Sequence, residues 1–188
     1  KRPFAGTGKN VSVLGLGTVK FGRNQDVKYP GGEGFALPTD VQILALLDLC
    51  LENSINFIDT APAYGTSEER LGQLLGPRRD QFFIMAKAGE EFEDGKSERI
   101  YTAPHIRMSV ERSLKRLRTD RIENITVHCG YNDLDILKNT PALETLAALK
   151  KEGKILSFGA SIYTAEAGKY VVDHADSVMV EFHLANQG

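Results

Sequence analysis

The sequence predicts an α/β fold with a parallel sheet, and three observations carry that prediction. Six short apolar runs alternate with five segments of helical periodicity. The runs are continuously apolar, as in parallel strands covered on both faces. Four runs deliver a reactive polar residue at their C-terminal end: Asp59, Lys87, His128 and Ser161. In a (β/α)8 barrel those ends converge on one mouth, where catalytic residues sit.

The elements follow in order. Val11 to Leu16 is the first apolar run, ending in Gly15-Leu16-Gly17. Residues 22–38 are polar and rich in Gly and Pro, with Tyr29-Pro30-Gly31-Gly32 as a turn, and read as a long loop. Thr39 and Gln42 fit a capping box, and Ile43, Leu46, Leu47 and Cys50 continue at helical spacing. Ile55 to Ile58 is a buried-type strand that delivers Asp59. Tyr64 stands in the next turn, and Ser67 is expected to cap a second helix that Gly76-Pro77 stops.

Phe82 to Ala86 is the third strand, ending at Lys87. Residues 88–101 are acidic and polar and read as a solvated loop at the rim. Thr102 and Pro104 start a third helix with an apolar stripe of Ile106, Val110, Leu114 and Leu117. Ile125 to Val127 is a strand ending at His128. A fourth helix is expected from Pro141 to Glu152, with Gly153 past its end. Ile155 to Ala160 is a strand ending at Ser161, Thr164 caps a fifth helix, and Ser177 to Phe182 is the last strand.

Other classes are disfavoured. The 188 residues are 41% hydrophobic and 26% charged, enough apolar material for one core and one domain spanning 1–188. Net charge is −2 and no basic stripe is present, so neither nucleic acid nor an anionic membrane is an expected partner. No apolar stretch approaches the roughly 20 residues of a membrane span. Cys50 and Cys129 form no close pair, which predicts buried, reduced thiols in a cytoplasmic protein. The sequon at Asn124-Ile125-Thr126 lies inside a strand, and the histidines and cysteines show no metal spacing, so no metal site is expected. A dinucleotide-binding GxGxxG unit is disfavoured, because the third glycine after Gly15 and Gly17 is misplaced and a long loop follows where a helix is needed.

Asp59-Thr60-Ala61, Tyr64-Gly65 and Ser67-Glu68, followed by Lys87 and His128 at the next strand ends, resemble the signature and catalytic tetrad of the aldo-keto reductases. Leu14-Gly15-Leu16-Gly17-Thr18 resembles that family's opening strand, and Leu149 to Ile155 its fourth helix-to-strand junction. Taken singly, each tetrad residue has a structural explanation: a turn cap, a rim aromatic, a snorkelling lysine, a hydrogen-bonded histidine. Their order is what makes them a set.

The resemblance implies a (β/α)8 barrel, here truncated to about six strands. A complete barrel takes about 250 residues. It implies NADPH-dependent reduction of a small aldehyde or ketone. Tyr64 would be the general acid, Lys87 would lower its pKa, Asp59 would pair with Lys87, and His128 would polarise the carbonyl. Gly17, Thr18, Asp59 and Ser161 would line the nicotinamide. Ile162 and Met179 depart from the family's usual Asn and Gln there, and His128-Cys129-Gly130-Tyr131 departs on the substrate side. Two rival readings follow from the same residues: a cofactor-sensing regulatory subunit like those associated with channels, and a non-catalytic barrel fragment.

Overall fold

The computed structural model describes residues 1–4, 6–27 and 34–184. The Tyr29-Pro30-Gly31-Gly32 turn lies outside the described residues. Six parallel strands form one curled sheet, the open part of a (β/α)8 barrel. They are β3 (Gly15–Gly17), β4 (Phe57–Asp59), β5 (Phe83–Ala88), β8 (Ile122–His128), β9 (Ile155–Ile162) and β10 (Ser177–Val180). Their spatial order follows the chain, with β3 and β10 at the edges. The intervening helices are α1 (Val19–Gly22), α2 (Asp40–Glu52), α3 (Ser67–Leu74), α4 (Ala103–Arg116), α5 (Asp133–Asn139), α6 (Ala142–Lys151) and α7 (Ala165–His174). Two short hairpins complete the set: β1 (Arg2–Pro3) with β2 (Asn10–Val11), and β6 (Glu90–Glu93) with β7 (Lys96–Arg99).

The apolar runs become the sheet because both faces are covered. Every residue of β5 is buried, and so is β8 up to His128. The helices supply the outer layer through Ile43, Leu47, Leu71, Ile106, Val110, Leu146 and Val171, which join one continuous core with the strands. Thr39 and Gln42 form the expected capping box, with both reciprocal hydrogen bonds in place. Thr164 caps α7 by accepting from the Ala167 amide at 3.2 Å. Cys50 and Cys129 are buried free thiols, and Asn124 of the sequon is fully buried in β8.

Five expectations are corrected. Val11 to Leu16 is not one strand: β2 and β3 are separated by exposed Val13 and Leu14. The Asn56 side chain accepts from the Ser12 amide at 2.8 Å and donates to the Asn10 carbonyl at 3.0 Å, which bends this segment under the sheet. Ser67 does not cap α3, because Thr66 is the capping position and the Ser67 hydroxyl bonds to Thr18 instead. Residues 133–139 form a helix where none is expected. The last strand ends at Val180, short of Phe182.

The fifth correction matters most for the site. Residues 88–101 are a β-hairpin and not a solvated loop. Asp94 and Gly95 both have positive φ and make the two-residue turn that matches strand twist. Glu91 accepts from Ser109 Oγ at 3.0 Å and pairs with Arg112 and His105, docking the hairpin on α4.

Candidate active site

The parallel register places the polar strand ends side by side. Gly17 lies opposite Asp59, and His128 opposite Ser161, across neighbouring strands. Asp59 ends β4. The chain then turns through a single 3₁₀ turn, Pro62–Tyr64, which lifts Tyr64 over the same strand ends. That turn is fixed from behind. Gly65 has φ +61°, and a Cβ there would meet the Gly22 carbonyl oxygen at 2.1 Å, so the close crossing with α1 requires glycine. Buried Arg23 donates from Nη1 to the Ala63 carbonyl at 2.9 Å and stacks on the Phe92 ring at 3.7 Å, tying the turn to the hairpin.

Lys87 sits at the centre and is 2% exposed. Its ammonium donates to Asp59 Oδ1, to the Tyr64 hydroxyl at 2.9 Å and to the Thr60 carbonyl at 3.4 Å. An ammonium has three donors, and here each has a partner. The Tyr64 hydroxyl in turn donates to Asp59 Oδ2 at 3.3 Å. Burial pushes the Lys87 pKa below its ordinary value, opposed by Asp59 and, further off, by Glu90 and Glu68.

His128 lies at the end of β8 with its ring perpendicular to that of Tyr64, centroids 6.4 Å apart. Tyr101 donates to the His128 carbonyl at 2.9 Å and holds this strand end. Burial first, then the positive charges of Lys87, Arg99 and Arg23, push the imidazole down to about 3. Burial thus favours the neutral ring, against the opposing pull of the Glu90 carboxylate 3.1 Å from Nδ1.

The four expected tetrad residues thus converge. Of the residues expected to line a nicotinamide, Gly17 ends β3 with open space beyond its Cα, and Ser161 is half-buried beside His128. Thr18 differs. It is fully buried, donates to the Asp59 carbonyl at 2.8 Å and accepts from Ser67 Oγ at 2.8 Å, so its hydroxyl is committed within the protein. A phenol, an ammonium and an imidazole beside an open strand end fit the nicotinamide end of a dinucleotide. Glu90, Arg99 and Tyr101 surround His128 and were not singled out for it by sequence; the Asp94-Gly95 turn was the signal that a hairpin would bring them there.

Residues 13–186 match the Aldo/keto reductase family, and the chain belongs to that family. It is 31% identical to the uncharacterized oxidoreductase YqkF of Bacillus subtilis, covering 98% of this chain and 56% of that protein. It is 30% identical to the L-galactose dehydrogenase of Arabidopsis thaliana, covering 98% of this chain and 55% of that one. A solved structure from Pseudomonas aeruginosa, assigned to the aldo-keto reductases, superposes with a TM-score of 0.91 at 50% identity over 99% of this chain and 69% of that chain. The holo form of aldo-keto reductase AKR11C1 from Bacillus halodurans follows with a TM-score of 0.77 at 27% identity, over 96% and 57% of the two chains. The chain spans about half the length of the curated relatives it matches.

Proposed function

We propose that this chain carries the catalytic residues of an oxidoreductase that interconverts a small carbonyl compound and its alcohol with NADPH as cofactor. The observation that carries the reading is the buried Lys87 ammonium shared between the Asp59 carboxylate and the Tyr64 phenol, beside His128, whose burial favours the neutral ring. A bound NADPH supplies the hydride. Tyr64 supplies the proton to the carbonyl oxygen. Lys87, 2.9 Å away, stabilises the phenolate left behind, because an ammonium favours the charged form of its neighbour. Asp59 offsets the cost of burying that ammonium. General-acid catalysis of this kind contributes about 10² to 10⁴ in rate.

Gly17, Asp59 and Ser161 line the nicotinamide end, and Thr18 supports them from behind, its amide and hydroxyl both donating to the Asp59 carbonyl and its hydroxyl accepting from Ser67. Sugar substrates head the panel to be tried, because relatives named D-arabinose 1-dehydrogenase and L-galactose dehydrogenase share 30% identity with this chain. The reading is of a cytoplasmic enzyme, in keeping with the buried free thiols of Cys50 and Cys129.

The test is NADPH oxidation by the full-length protein over a panel of aldehydes, ketones and aldoses, with Tyr64→Phe alongside. Turnover that disappears in the variant while NADPH still quenches the protein's fluorescence supports the reading. A wild type that binds NADPH and turns over nothing in the panel points instead to a cofactor sensor.

A further inference from the structure

Arg99 is the last residue of the second hairpin, and the kink that opens the hairpin sets its place. Gly89 has φ +109°, a conformation that side-chain-bearing residues avoid, and Glu90 and Arg99 then pair in register at the hairpin base. Glu90 Oε1 lies 3.3 Å from Arg99 Nη2, and Oε2 lies 3.1 Å from His128 Nδ1, so the guanidinium is one carboxylate away from the ring. The stem of Arg99 lies across Gly130, where a Cβ would touch Arg99 Cδ at 3.4 Å and Nε at 3.5 Å. Burial dominates the titration of Tyr101, His128, Cys129 and Tyr163, and each of the four also feels the positive charge of Arg99. The cation therefore stands at the mouth, among the segments that follow β5, β8 and β9.

One ion pair does not use up this side chain. A guanidinium presents five N–H donors in a fixed fork. Among the described residues Glu90 is its one ion-pair partner, and 43% of the side chain is exposed, so the remaining donors are open to a ligand. Asp133, the other carboxylate at this rim, is committed elsewhere. It accepts from the amides of Leu134, Tyr163 and Thr164 and from the Thr164 hydroxyl. Those bonds also pin the backbone of Tyr163, whose ring packs on that of Tyr131 with centroids 4.7 Å apart. Both rings are exposed, Tyr131 by 78% and Tyr163 by 49%. The rim beside His128 thus joins a partly free guanidinium to a fixed pair of aromatic faces.

We propose that Arg99 is a specificity-determining residue that receives an oxyanion, carboxylate or phosphate, carried by the carbonyl substrate a few bonds from the reacting carbon. The exposed faces of Tyr131 and Tyr163 take apolar parts of the same molecule. Glu90 holds the guanidinium by one edge and leaves the other to the ligand. Because Glu90 cancels most of the long-range charge of Arg99, selection falls on the fork itself, which grips an oxyanion through two parallel bonds as lysine cannot. The inference rests on the proposed reading for the carbonyl end alone; the anion subsite belongs to the rim.

The experiment uses the full-length protein. Its first readout is kcat/KM for succinic semialdehyde over that for 4-methylpentanal, its uncharged isostere, and for glyceraldehyde 3-phosphate over glyceraldehyde. The pair with the larger ratio identifies the oxyanion as carboxylate or phosphate. The wild type is expected to favour at least one anionic member by about tenfold or more, through KM. Arg99→Lys keeps the charge and loses the fork. Glu90→Gln with Arg99→Met removes both charges of the pair together. Each is expected to bring the ratio down towards one. A residue that only supported Glu90 would lower both members of a pair alike and leave the ratio standing. A wild type that favours neither anion, or a preference that survives in the folded double variant, overturns the inference. Thermal melts report folding, and the wild-type ratio needs no variant.

The second readout needs no turnover. In protein labelled with ¹⁵N at arginine, the Arg99 Nε–Hε resonance, assigned by its loss in Arg99→Lys, is followed as sodium succinate or inorganic phosphate is added at constant ionic strength. A saturable shift in the millimolar range is expected with one of them. A resonance that moves with neither overturns the inference. If it moves while no carbonyl compound is turned over, the proposed reading fails and the anion subsite stands. If aldehydes are reduced and it does not move, the reading stands and the inference fails.

Discussion

The two ends of the sheet each bury a charged cluster, and the clusters are built on opposite principles. At the C-terminal end one ammonium, Lys87, serves a carboxylate and a phenol. At the N-terminal end one carboxylate, Glu123, 1% exposed, receives several donors. Arg79 donates to it from Nη2 at 2.9 Å and from Nη1 at 3.2 Å, Lys9 at 2.8 Å, and the Ile84 amide at 3.0 Å. Burial pushes the Glu123 carboxyl up, but Arg79, then Lys9 and the Ile84 amide, outweigh it and hold it below its ordinary value. For Lys87 burial wins instead. The N-terminal cluster is oversupplied with partners and fixes the carboxylate in one charge state. The C-terminal cluster is balanced, with a proton donor inside it and an imidazole beside it. Such poise suits proton transfer and would be a liability in a purely structural site.

That contrast can be broken from either end. The largest effect is expected for Tyr64→Phe, which removes the proton donor and leaves one donor of the buried Lys87 ammonium without its phenol partner. The rate of carbonyl reduction should fall about 10² to 10⁴-fold, while stability falls only by about 1–3 kcal/mol and the variant still melts cooperatively. A variant within threefold of wild type would show the cluster to be structural at both ends.

Glu123→Ala should do the reverse. It strands Arg79, itself only 12% exposed at the side chain, and removes the partner of the Ile84 amide. Breaking a buried pair in this way costs about 3–5 kcal/mol, to be read as a fall in urea midpoint. Turnover per folded molecule should hold.

Glu68 lies between the two extremes. It is fully buried where α3 meets α4, and it is one of the carboxylates facing Lys87. Burial pushes its carboxyl up to about 7, against the pull of Ser113 and Arg116. The native state therefore holds a proton that the unfolded chain releases near its ordinary 4.5. Stability from this group is fully present below that value and is lost as pH rises to about 7. Across that window the loss is about 3 kcal/mol. Glu68→Gln should flatten the pH dependence of the urea midpoint; a slope identical to wild type would remove Glu68 as its source.

The smallest effect is expected at Lys9, the outer partner of Glu123, with 30% of its side chain exposed. Lys9→Met should cost about 1 kcal/mol or less, because Arg79 still holds the carboxylate. A larger loss in the melting experiment would mean that the N-terminal cluster is as finely balanced as the C-terminal one.

The distribution of what was legible in the sequence follows the same physics. β5 and β8 announce themselves because both faces are covered and each carries a buried apolar run. The N-terminal hairpin does not, because its two-residue strands carry no periodicity and its anchor is Phe4, which packs at 4.6 Å on the distant Phe83. The hairpin over residues 90–99 reads as an acidic loop because its carboxylates find their partners far along the chain, Glu91 pairing with Arg112 and lying 3.0 Å from His105 Nε2. Only the Asp94-Gly95 turn marked it locally.

The sequence by itself determined the alternation of strand and helix, the parallel sheet, the helix caps at Thr39 and Thr164, and the identity of the residues at the strand ends. These are local: periodicity, capping and apolar runs act over a few residues, and a strand that must be parallel brings its C-terminal ends together wherever its neighbours lie. Tertiary structure alone decided the charge states and the partners. Lys87 is shared because the Gly22–Gly65 crossing presses Tyr64 down onto it. Thr18 is unavailable because Ser67 reaches back to it across 49 residues. Glu90 meets His128 because Gly89 turns the chain where no other residue fits. Desolvation and hydrogen bonding depend on what surrounds a group in space, so protonation is settled only once the chain has folded.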